Sequence, residues 1–201
     1  MAPRDGRCKV NMKDISLIGF MGCGKSSVGK ILATLLPECR LIDLDTYIEE
    51  KQGKNIPEIF NEYGEAAFRR MEREALEEIF SDKSRPRAIL SLGGGTVTSE
   101  QCRQLIRQHT DCFYLRATTD TLLDNLEGHS DGRPMLNPTQ PVEAQSTETS
   151  SEREALRRHI ESLMQTRSPQ YLATAHHIID IDGLSFAQIA EAVEGNILNI
   201  K

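Results

Sequence analysis

The sequence predicts an α/β fold: a five-stranded parallel sheet with helices on both faces. Short apolar runs at 14–18, 40–42, 88–92, 112–115 and 177–181 read as buried strands. Helical patterns at 25–36, 46–80, 99–109, 119–126, 151–165 and 185–198 separate them, and that alternation implies parallel strands covered on both sides. Ligands of such a sheet sit at the carboxyl ends of its strands. A glycine-rich turn stands at the first of these ends.

That turn is Gly19-Phe20-Met21-Gly22-Cys23-Gly24-Lys25-Ser26, between the strand Asp14-Ile15-Ser16-Leu17-Ile18 and an amphipathic helix stopped by Pro37. Glycines let successive backbone N–H groups turn inward around a phosphate, and the helix N-terminus adds partial positive charge. The loop is therefore expected to bind phosphate, with Lys25 reaching the β- and γ-phosphates and the Ser26 hydroxyl on Mg²⁺. A plain glycine-rich turn leaves the Lys-Ser pair without a purpose.

At 201 residues the chain reads as one domain over 14–198, preceded by a polar leader at 1–13 in which Met12 is an alternative start to Met1. A net charge of -6 with no basic stripe argues against nucleic acid as partner, but not against a small anion held by a few placed cations. Five scattered cysteines (Cys8, Cys23, Cys39, Cys102 and Cys112) fit free thiols in a reducing compartment. No membrane-spanning run or signal peptide is read, so a cytoplasmic protein is expected. No surface helix carries a partner seam, which makes a monomer the default.

Further along, Asp43 and Asp45 are two apart; on an extended segment they face one side, as a phosphoryl-acceptor site needs. A cap for the next helix by Asp45 or Thr46, with Glu49 closing a capping box, is an equal reading. Arg69 and Glu72 share a helix face, so Glu72 can orient the guanidinium toward a carboxylate, although taken alone the pair is more often an ordinary ion pair on a solvated helix. Gly93, Gly94 and Gly95 follow a buried strand and allow a ligand close to the backbone. Periodicity fails between 127 and 150; the part containing Arg133-Pro134 reads as a closing lid and 138–150 as a disordered insertion. Arg167 precedes Pro169, which is expected to break the helical pattern there.

Taken in order, the phosphate loop, Asp43-x-Asp45, Ile56-Pro57-Glu58-Ile59-Phe60, Gly64-Glu65-x-x-Phe68-Arg69-x-x-Glu72, the triple glycine, Arg133-Pro134 and Arg167-x-Pro169-x-Tyr171 resemble the shikimate kinase family. The resemblance spans roughly 14–198. It implies a P-loop kinase fold with strand order 2-3-1-4-5 and a mobile lid, and ATP-dependent phosphorylation of the 3-hydroxyl of shikimate with Mg²⁺. By the same resemblance Gly22, Cys23, Gly24, Lys25, Ser26 and Ser27 bind the nucleotide phosphates, Ser26 ligates the metal and Asp43 holds a metal water. Asp45 takes the substrate hydroxyls and assists proton removal, with Lys25 and Arg133 as its catalytic partners. Arg69, Gly94 and Arg167 hold shikimate, with Gly93 and Gly95 beside them, and Arg133 closes onto the transferred phosphoryl group.

Two departures concern adenine. No arginine lies between Arg116 and Arg133 to stack on the base, and Asp182-Gly183-Leu184-Ser185 lacks the basic residue often found after the last strand. Backbone and apolar contacts are expected in their place. The rivals are a gluconate or nucleoside-monophosphate kinase, which lacks the joint set of Asp pair, Phe-Arg-x-x-Glu and triple glycine, and a non-catalytic kinase-derived binding domain, which should have lost Lys25, Ser26, Asp45 or Arg133.

Overall fold

The structure is a computed structural model and describes residues 13–127 and 148–199. Five parallel strands, β1 (Asp14–Ile18), β2 (Arg40–Asp43), β3 (Ala88–Ser91), β4 (Thr110–Arg116) and β5 (His177–Asp180), lie in the order β2-β3-β1-β4-β5. This is the order the family resemblance implied. β1 runs between later strands, with Ile15 opposite both Ile89 of β3 and Asp111 of β4.

Alternation along the strands feeds two cores. Ile15, Leu17, Ile89, Phe113 and Leu115 point to one face, which is closed by α1 (Lys25–Leu35), α5 (Thr119–Glu127) and α7 (Phe186–Asn199) through Val28, Leu32, Leu122, Leu126, Ile189 and Val193. Leu90, Cys112 and Tyr114 point to the other. There α2 (Leu44–Gln52), α3 (Ile56–Ser81) and α4 (Glu100–His109) contribute Ile48, Leu76, Ile79 and Ile106, and Tyr171 arrives from α6 (Glu148–Thr174). Each fully buried Ile or Leu contributes about 1.5–3 kcal/mol, which explains why strands buried on both faces contain little but apolar residues. The four cysteines among the described residues are buried free thiols.

Helix starts follow side-chain chemistry. Asn55 and Glu58 make a capping box for α3, with Pro57 in its first turn. Ser99 caps α4, and Ser185 and Gln188 exchange hydrogen bonds at the start of α7. The stretch 46–80 is two helices, because Gly53 turns left-handed (φ 65°) and ends α2; Gly64, also at positive φ, kinks α3.

Four sequence expectations are corrected. β2 ends at Asp43 and Asp45 lies in the first turn of α2, so the two aspartates do not alternate along one strand. Asp43, rather than Asp45 or Thr46, caps the helix, its Oδ1 accepting from the N–H groups of Asp45 (3.2 Å) and Thr46 (3.4 Å). Pro169 does not break α6, which runs through it. A proline inside a helix forfeits one backbone bond and crowds the preceding turn. Here the flanking side chains are packed tightly enough to hold the helix, with Arg167, Tyr171 and Thr174 all buried. Finally, α6 already begins at Glu148, inside the stretch expected to be disordered. Residues 1–12, most of the lid and Arg133 lie outside the described residues.

Candidate active site

Strand ends β1, β2 and β3 open into a cleft of about 640 Å³ whose lining includes Lys25, Ser26, Asp43, Asp45, Arg69, Glu72, Gly93, Gly94, Gly95 and Arg167. The sequence-selected residues among those described therefore converge, apart from Cys23, which is buried beneath the loop.

At the phosphate loop, Gly22 and Gly24 have φ of 84° and 86°, a region in which other residues are strained. Both are also crowded: a Cβ on Gly22 would meet Leu126 at 2.9 Å, and one on Gly24 would meet the Phe186 ring at 2.5 Å. The Asn125 side-chain amide donates to the Gly22 carbonyl at 2.9 Å, docking α5 on the loop. Lys25 folds back, its ammonium donating to the carbonyls of Gly19 (2.9 Å) and Phe20 (3.0 Å), with Cys23 Sγ at 3.8 Å. It is thereby held over the loop whose ligand it is expected to meet.

The Ser26 hydroxyl donates to Asp43 Oδ2 at 2.7 Å and lies 3.2 Å from Ser91 Oγ. A hydroxyl and a carboxylate oxygen side by side at a helix N-terminus form the hard-oxygen set that suits magnesium bound to a nucleotide, which takes only one or two protein ligands. Among the described residues no cluster of three or more His, Cys, Asp or Glu is gathered for a metal held by protein alone.

Asp45 lies between opposing influences. Burial, then the negative charges of Glu72 and Asp43, push its carboxyl up to about 6, against a smaller pull downward from Lys25. Glu72 is fully buried. Its Oε2 accepts from Arg69 Nη1 at 2.6 Å and its Oε1 from the Thr96 hydroxyl at 2.5 Å. Glu65 Oε1 accepts from Arg69 Nη2 at 2.9 Å. From the facing helix, Arg167 is 4% exposed and its Nη1 has no hydrogen-bond partner among the described residues. A buried guanidinium nitrogen left in this state fits an anion entering the cleft.

The three glycines keep these groups apart by hydrogen-sized margins. A Cβ on Gly93 would stand 2.9 Å from Asp45 Oδ1 and 3.1 Å from Glu72 Oε1, and one on Gly95 would stand 2.2 Å from Arg69 Nη2. Gly94 faces the loop, with a Cβ there 3.1 Å from Met21 N, and its carbonyl accepts from the Tyr171 hydroxyl at 2.5 Å.

The family model for shikimate kinase matches residues 21–195. The chain belongs to the shikimate kinase family. A shikimate kinase from Thermus thermophilus is 34% identical over 179 residues, covering 89% of this chain and 86% of its own. One from Chlorobaculum tepidum is 40% identical over 158 residues, covering 79% and 76%. Among solved structures, shikimate kinase from Acinetobacter baumannii in complex with shikimate superposes with a TM-score of 0.80 at 30% identity, covering 94% of this chain and 95% of that one. The kinase is thus an ATP-using phosphotransferase with an alcohol acceptor.

Several residues in or behind the cleft carried little or no sequence signal. Asn125 and Thr96 act through contacts distant in sequence. Phe186, 42% exposed and over Gly24, was legible only as a large aromatic at the first turn of an amphipathic helix. No helix among the described residues is long and apolar enough to cross a membrane.

Proposed function

We propose that the kinase transfers the γ-phosphoryl group of ATP to the 3-hydroxyl of shikimate, giving shikimate 3-phosphate and ADP, as a cytoplasmic monomer with a single catalytic domain over 14–198. One observation carries the reading: a single cleft joins a phosphate loop to two converging guanidinium groups, Arg69 and Arg167, with Asp45 in electrostatic contact with both ends.

Gly22 to Ser27 receive the nucleotide phosphates, and Lys25 exchanges its loop carbonyls for phosphate oxygens. Phe186, beside the loop, offers an apolar face to the base where a stacking arginine is missing. Ser26 and Asp43 would hold magnesium, the serine directly and the aspartate through water, and the metal would supply charge to offset that of the nucleotide phosphates. Arg69 and Arg167 take the shikimate carboxylate, and Gly93, Gly94 and Gly95 let the ring lie against backbone. Asp45 accepts the hydroxyl proton as the oxygen attacks phosphorus; with its carboxyl near 6 it is ionised at neutral pH yet more basic than a free aspartate. Arg133 closes on the moving phosphoryl group.

Coupled ADP release with Mg-ATP against shikimate, gluconate and nucleoside monophosphates in parallel tests the assignment. Turnover with shikimate alone is expected. Turnover with gluconate in its place overturns the acceptor, and nucleotide binding without turnover overturns the activity.

A further inference from the structure

The acid-binding arginine is held by a carboxylate that needs a holder of its own. Arg69 touches two carboxylates, but they are unequal: the Glu65 side chain is 51% exposed and that of Glu72 is 0% exposed. An exposed partner shared with water fixes little. The buried one fixes much, provided its own geometry is fixed.

Glu72 has two oxygens and each has one partner. Oε2 is taken by Arg69 and Oε1 by the Thr96 hydroxyl. Thr96 is itself 0% exposed and held by its backbone, its N–H donating to Gly93 O at 3.1 Å and its carbonyl accepting from Ser99 N at 3.4 Å. A β-branched side chain on so fixed a backbone has little freedom at χ1, so the hydroxyl points where the turn aims it. The space beside these atoms exists because residue 93 is glycine: a Cβ there would meet Glu72 Oε1 and Thr96 Oγ1, each at 3.1 Å. The hydroxyl donates to Glu72, so its influence runs to the acid end of the cleft.

We propose that Thr96 is a positioning residue for acid recognition: its hydroxyl pins Glu72, and Glu72 in turn aims the Arg69 guanidinium at the substrate carboxylate. This rests on the reading of Arg69 given above. Without the hydroxyl, Glu72 Oε1 is a buried acceptor with no donor, and the carboxylate turns to find one, taking Arg69 with it.

Thr96→Val keeps the shape and removes the donor. The expected result is a rise of about tenfold in KM for shikimate, with KM for ATP and kcat changed by less than about threefold. Thr96→Ser, which restores the hydroxyl, returns KM for shikimate to near its original value. Should the valine variant fail to fold, Thr96→Cys supplies a weak donor at the same place and gives an intermediate rise. An unchanged KM for shikimate in the folded variant, an equal rise in both KM values, or no recovery with serine overturns the proposal. Arg69→Ala, measured alongside, separates the two levels. If it raises KM for shikimate while Thr96→Val does not, the inference about Thr96 fails and the acid site stands. If it leaves KM for shikimate unchanged, the acid site fails and the inference with it.

Discussion

Replacing Asp45 with asparagine should make the ligand-free kinase more stable and nearly inactive. The carboxyl is pushed from 3.8 up to about 6 by burial and by Glu72 and Asp43, so the folded protein binds its proton more tightly than the unfolded chain does. Between those two values the unfolded state loses the proton first, and stability falls as pH rises. Below pH 4 both states are protonated and the aspartate costs nothing; above 6 the full cost is present. A rise of this size corresponds to about 3 kcal/mol, and water in the open cleft reduces the expected effect to about 1–2 kcal/mol. For a domain of this length that is about 3–6 °C in Tm. Thermal unfolding of both proteins without nucleotide, from pH 3.5 to 8, reads it directly. The asparagine variant should melt level with the wild type at the acid end and several degrees higher at pH 8, with the gap opening between pH 4 and 6. A gap independent of pH, or a variant less stable at pH 8, would refute the argument that Asp45 is kept charged against its surroundings. Turnover in the same variant should be almost lost while nucleotide affinity is retained, if the group acts on the acceptor as proposed.

Gly95→Ala places a methyl group 2.2 Å from Arg69 Nη2, so the guanidinium must swing away from Glu72. KM for shikimate should rise about 10- to 100-fold in steady-state assays, with KM for ATP unchanged. Phe186→Ala removes the aromatic face beside Gly24 and should raise KM for ATP by about fivefold, leaving shikimate unaffected. An effect of either variant confined to the other substrate would show that the two ends of the cleft are assigned the wrong way round. Ser26→Ala should raise the magnesium concentration needed for half-maximal rate, read by titrating the metal at fixed ATP.

The phosphate loop and the strands were legible because their information is local. Glycines at 22 and 24 answer to backbone angles, and doubly buried strands are mostly apolar. Asp45 does line the cleft, but by a different geometry: the sequence suggested an extended pair, whereas Asp43 ends β2 by capping α2 and thereby turns Asp45 into the cleft from a helix. Pro169 misled for the opposite reason, since a strong local rule was outweighed by the burial of Arg167 and Tyr171 on either side of it. Thr96 and Asn125 were invisible because each acts through one hydrogen bond to a residue 24 or 103 positions away, and no spacing rule reaches that far.

The order of the strands also has a history written into it. β1, the strand that carries the phosphate loop, is paired with β3 and β4 and never with β2, its successor in the chain. While the polypeptide is being made, roughly the first ninety residues therefore emerge with both edges of an apolar strand uncovered. Closure of these long-range parallel pairs costs loop entropy before any contact repays it, and uncovered edges invite pairing with other chains. The helices α1, α2 and α3 are complete in this interval and can shelter β1 until β3 arrives to separate it from β2. The phosphate-loop strand is thus completed on one side only by the strand that also leads into the triple glycine, which ties the two ends of the cleft to one pairing event.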